Sequence, residues 1–81
     1  MTTQTKYKIE LEGCPGFFLY VSLDEEEIEK VYLLHEKWAD SRLTNYFQTK
    51  EIAEGVLALF CEENWHRLTD EHFLVSAYWI F

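Results

Sequence analysis

The stretch Ser22–Asp40, SLDEEEIEKVYLLHEKWAD, decides how this chain folds. Its opening, Ser22-Leu23-Asp24-Glu25, matches a capping box, in which the serine hydroxyl accepts from a backbone N–H and the glutamate reaches back. Asp24 through Glu27 put negative charge where a helix dipole is positive. Ile28, Val31, Tyr32, His35, Trp38 and Ala39 then recur at the spacing of one helix face. The stretch therefore predicts an amphipathic helix of about four turns.

Upstream, residues 1–5 are polar and are expected to fray. Lys6–Glu12 alternates strictly, with Tyr7, Ile9 and Leu11 on one side, the period of a half-buried strand. Gly13-Cys14-Pro15-Gly16 supplies a turn. Phe17–Val21 is apolar on both faces, so it belongs in the middle of a sheet, paired in a hairpin with the strand before it. Downstream, Ser41–Gln48 reads as a polar connection. Thr49 is a suitable N-cap for a second helix, whose apolar arc is Ile52, Ala53, Val56, Leu57, Leu59 and Phe60. Gly55 in its middle weakens the helix relative to alanine, which suggests a close helix contact there. Asn64–Glu71 reads as a turn and Phe73–Phe81 as a last strand.

The order ββααβ implies one α+β domain over residues 1–81. If strand two runs up, two helices return the chain so that the last strand comes down beside strand two. The expected fold is a three-stranded antiparallel sheet, ordered 1-2-3, with two helices packed on one face. That face would take Tyr7, Ile9, Leu11, Phe17, Leu19, Val21, Phe73, Val75, Ala77 and Trp79. The far face would leave Phe18, Tyr20, Leu74, Tyr78 and Ile80 open, an apolar patch large enough to suggest partner binding or dimer formation. Trp38, Phe60 and Trp79 are expected in the core, with Tyr20, Tyr46 and Tyr78 nearer the surface.

A chain of 81 residues buries roughly 60–65% of its unfolded surface, so its core is small. Two cysteines exclude a disulfide-rich scaffold. Apolar residues make up 48% of the chain, which argues against disorder. The longest apolar runs, Phe17–Val21, Val56–Cys61 and Phe73–Phe81, are too short to span a membrane. With no leader pattern at Met1, the expected location is cytoplasmic. The net charge of −8 disfavours direct contact with nucleic acid or anionic lipid, so neither is expected as a partner.

No phosphate-cradling glycine loop, nucleophile elbow or His-Glu-x-x-His motif occurs, and no catalytic residue is assigned. Cys61, His66 and His72, with Cys14, are the conceivable zinc ligands, but their spacings are loose and no metal or cofactor is expected. Cys14 has no neighbouring base to activate it. His35 reads as a core-edge histidine with one hydrogen bond. On a helical wheel Glu25, Glu29, Glu36 and Asp40 form an acidic edge of helix one around Leu33, the pattern of a docking surface for a basic protein groove. Glu26 and Lys30 are spaced to pair. Glu51, Glu54, Glu62 and Glu63 extend the charge onto helix two.

The composition is that of short acidic inhibitors and nucleic-acid mimics of phage or mobile-element type, and the expected function is a non-enzymatic module docking on a basic, nucleic-acid-handling protein. Two alternatives share the physics. One is a homodimeric structural or adaptor protein joined through the open sheet face or the edge of the last strand. The other is an immunity or antitoxin-type protein that neutralises a toxin.

Overall fold

The computed structural model describes residues 4–23, 30–64 and 67–80, Ile80 by its backbone alone. Five strands and one α-helix follow in the order β1 (Gln4–Leu11), β2 (Phe17–Ser22), β3 (Tyr32–His35), β4 (Leu43–Thr44), α1 (Lys50–Glu63) and β5 (Phe73–Ile80). The strands form one antiparallel sheet ordered β3-β2-β1-β5, with β4 also paired to β2. This overturns the expected three-stranded sheet with two helices.

The first difference lies in the stretch that decided the reading. Residues 32–35 are a strand, and Glu36–Trp38 is one 3-10 turn. Val31-Tyr32-Leu33-Leu34-His35 is apolar at every position before the histidine, so it fits a helix face and a two-sided strand equally well. Tertiary pairing chose between them: Tyr20, Leu19 and Phe18 lie opposite Tyr32, Leu33 and Leu34. A strand apolar on both faces needs neighbours on both edges, and β3 fills one. The capping residues Asp24–Glu27 lie outside the described residues, and with Glu26 among them so does its expected pairing with Lys30, whose Nζ lies 5.2 Å from the Tyr32 ring centroid. Ser22 itself closes β2.

The second difference is the place of the last strand. β1 is antiparallel to both β2 and β5, so β5 runs in the same sense as β2 and cannot lie antiparallel beside it. It pairs instead with β1 along eight positions, from Gln4 opposite Ile80 to Leu11 opposite Phe73. On its other edge β1 meets Phe47, which exchanges both backbone hydrogen bonds with Tyr7 at 2.8 Å. Thr44 pairs with Val21 and Phe47 with Tyr7, so the segment read as an irregular connection crosses from β2 to β1.

The hairpin and α1 follow the sequence. Gly13 and Gly16 have φ of 83° and 89°, which only glycine adopts readily, and they frame the turn between β1 and β2. The Thr49 hydroxyl accepts from the Ile52 N–H at 3.1 Å and starts α1. Ala53, Val56, Leu57 and Phe60, spaced i, i+3, i+4 and i+7, face the sheet and are buried with Ile9, Leu19, Val21, Val31, Phe47 and Phe73. Phe60 meets Phe73 edge to face with ring centroids 5.5 Å apart. Gly55 is exposed, and a Cβ there would meet nothing within 4 Å, so no close helix contact explains it.

Candidate interaction surface

The sheet face under α1 carries the parity expected for β1 and β2, and of the two parities that the sequence left open for β5 it takes that of Phe73 and Val75. Ile9, Leu19, Val21 and Phe73 are buried, and Tyr7, Leu11 and Val75 pack against them. At the far end of β5 the same parity places Trp79 opposite Thr5, beyond the core cluster, and there it is 71% exposed. Trp38 is 78% exposed. Neither tryptophan is a core residue as expected, whereas Phe60 is.

The other face is not open at its centre. Phe18 and Tyr20 are buried, and Tyr20 is thus not a surface ring. Lys8 lies across this face, its Nζ 4.6 Å from the Tyr46 ring centroid and 4.9 Å from those of Phe18 and Tyr78. An ammonium over three ring faces is attracted by their quadrupoles, and the lysine stem covers apolar surface. Burial first, then the charge of Glu36 and the neighbouring Tyr46, hold the Tyr20 hydroxyl above its usual range, so it stays protonated. Leu74 and Tyr78 are the members of the expected patch that remain exposed; the Ile80 side chain lies outside the description.

Among the described residues the acidic edge is not a helical stripe. Glu25 and Glu29 lie outside the described residues. Leu33 is half-buried on β3 and packs against the core, so it is no exposed anchor. Glu36 sits in the 3-10 turn. Asp40 lies in the next turn, where Oδ1 accepts from the Arg42 N–H at 2.9 Å and Oδ2 from Nη2 at 3.1 Å. These bonds hold the Asp40 carboxyl below its usual range. Negative charge does line α1, where Glu51, Glu54, Glu62 and Glu63 are all exposed.

Of the residues weighed for chemistry, His35 is half-buried on β3, edge-on to Phe17 with centroids 5.0 Å apart. Its Nδ1 accepts from the Lys37 N–H at 3.1 Å, which leaves Nε2 to carry the proton of the neutral ring. His72 accepts from the Thr69 N–H at 3.0 Å. Cys14 is exposed. Cys61 is half-buried, and burial followed by the nearby Asp70 carboxylate raises its thiol, which opposes a nucleophilic role. His66 lies outside the described residues. Among those described, no three metal-ligating side chains converge.

The most unusual feature is the outer edge of β5. As the last strand in the sheet order, it has no neighbour on that side among the described residues. The sequence of β5, FLVSAYWI, carries no charge, proline or glycine, the devices that ordinarily protect an edge. Which backbone groups point outward follows from the register. The Glu12 N–H donates to the His72 carbonyl at 2.8 Å, so even-numbered residues of β1 and β5 bond to each other. Tyr7 agrees, turning its N–H and C=O the opposite way, to Phe47. Leu74, Ser76, Tyr78 and Ile80 thus bond to β1, and Val75, Ala77 and Trp79 turn their N–H and C=O groups out. The Phe73 N–H is already taken by the Asp70 carbonyl.

Beside this edge is a cavity of about 500 Å³ between α1 and β5. Leu57, Leu68 and Val75 form apolar walls, Cys61 lies among them, and Glu54 and Asp70 add carboxylates. Sequence reading saw the uncharged strand but not the cavity, because its walls come from three separated segments. Comparison with known proteins adds nothing: no family model, curated protein or solved structure matches this chain.

Proposed function

We propose that this protein is a non-catalytic binding module that joins a second copy of itself through the outer edge of β5, as a homodimeric adaptor. One observation carries the reading: the edge strand is uncharged over its whole length, with three residues turned outward and Leu74, Tyr78 and Trp79 exposed along it. Edge pairing satisfies those backbone groups and removes a surface that would otherwise recruit any extended chain.

Sedimentation across a range of concentrations tests it. Ala77→Pro deletes an outward N–H while leaving the bonds of β5 to β1 intact, because proline is tolerated where no ladder bond is made. The wild-type chain dimerises and Ala77→Pro stays monomeric. A wild-type chain that remains monomeric throughout refutes the reading.

A second reading rests on the exposed carboxylates of α1: docking of this acidic face on a basic protein, as an inhibitor. Salt separates the two. Two bodies of charge −8 repel, so self-association tightens as salt screens them, whereas binding to a basic partner weakens.

A further inference from the structure

Which register would the two copies adopt, and what would fill the cavity beside it? Antiparallel pairing requires outward groups on both strands, and among the described residues of β5 Val75, Ala77 and Trp79 offer both an N–H and a C=O. The register that uses all three puts the two-fold axis at Ala77, with Val75 of each copy opposite Trp79 of the other. Directly opposed residues point to the same face, their side chains ~5 Å apart. Val75 points to the α1 face and lines the cavity.

We propose that each copy inserts its Trp79 into the other copy's cavity, an inference that rests on the edge-pairing reading above. Two features converge on it, the exposed ring and the make-up of the cavity. Trp79 is 71% exposed on the α1 face, although tryptophan is among the residues with most to gain from burial. The cavity, at about 500 Å³, has apolar walls at Leu57, Leu68 and Val75 that suit a ring system. Its carboxylates, Glu54 and Asp70, offer acceptors for an indole N–H, which is a donor only. Strand pairing alone is a small contact beside the roughly 1,200–2,000 Å² that specific interfaces bury. Two exchanged indoles add the central aromatic anchors on which such interfaces depend.

The cavity contains its own reporter, because Cys61 lines it, whereas Cys14 lies in the exposed hairpin turn and is not part of the lining. The full-length chain, Trp79→Ala and Ala77→Pro are compared by sedimentation and by iodoacetamide alkylation, read separately for the two cysteines by peptide mass spectrometry. Because Trp79 is exposed, its truncation leaves the core intact, which circular dichroism verifies. In the wild type, alkylation of Cys61 slows as concentration rises through the dimer range, while that of Cys14 does not. Trp79→Ala weakens the dimer by at least about 30-fold, the size of an anchor residue's contribution. It also abolishes the concentration dependence at Cys61, as does Ala77→Pro. If the chain dimerises, and Ala77→Pro prevents it, yet Cys61 reacts equally fast at every concentration, edge pairing stands and the insertion is refuted. A chain monomeric at every concentration refutes both.

Discussion

Replacing Gly16 with alanine tests the turn and the β3 edge together, because two separate costs fall on one atom. Gly16 has φ of 89°, where a Cβ is strained, and a Cβ built there lies 2.6 Å from Nε2 of His35. The conformational cost for a non-glycine residue at positive φ is about 1–2 kcal/mol. Relief of the overlap moves the imidazole, which disturbs its edge contact with Phe17, worth about 0.5–1.5 kcal/mol. It also disturbs the hydrogen bond from the Lys37 N–H. The expected loss is about 2–3 kcal/mol, large against the roughly 4–12 kcal/mol that holds a domain of this size together. Gly13 supplies the control: its φ is 83° but a Cβ there meets nothing within 4 Å, so Gly13→Ala carries the conformational cost alone. Urea unfolding of both variants, followed by tryptophan fluorescence, compares them directly. Should Gly16→Ala cost no more than Gly13→Ala, His35 does not pack over this turn and the placement of β3 is wrong.

Other substitutions probe the helix and the far face. Gly55→Ala stabilises α1 by about 0.5–1 kcal/mol, since nothing occupies the space its methyl would enter; a destabilised variant in thermal melting would mean an unseen contact. Thr49→Ala removes the cap on the Ile52 N–H and costs about 1 kcal/mol in the same assay. Lys8→Met keeps the apolar stem but removes the ammonium from three rings, and chemical denaturation should show a loss of about 1–2 kcal/mol; no loss would remove the cation–ring contacts from the account. The Cys61 thiol and Tyr20 hydroxyl are both raised above their usual values, 9.0 and 10.0. A group raised on folding contributes stability below its unfolded value and loses it as pH climbs through the folded one. Stability therefore declines above about pH 9, and does so less steeply in a Cys61→Ala, Tyr20→Phe double variant followed by urea titration.

Local chemistry made much of the framework readable. The strict alternation of Lys6–Glu12 put Tyr7, Ile9 and Leu11 on the core side, and the structure has them there. Thr49 and the i, i+3, i+4, i+7 spacing from Ala53 to Phe60 defined α1. Val31–Leu34 was ambiguous because its residues are apolar without alternation, so neither period is excluded. That ambiguity cost the helix but not the direction, because β3 runs antiparallel to β2 just as the expected helix did. The sheet order was lost further on: Leu43–Thr44 pairs antiparallel with β2 and Phe47 antiparallel with β1, so the chain reverses inside the segment read as a plain connection. The acidic edge fell with the helix, since Glu36 and Asp40 share a face with Leu33 only if the backbone turns every 3.6 residues.

Sequence alone thus determined which residues of β1 face inward and where α1 begins, because those depend on periods of two and 3.6 within a few residues. Tertiary structure alone decided which strands are neighbours. Pairing energy accrues between segments distant in the chain, here β1 with β5 and β2 with β3. No local pattern records the partner. The place of β5 at the end of the sheet order, the cavity beside it and the exposed Trp79 are consequences of that choice, which is why the proposed association surface came into view only once the sheet was assembled.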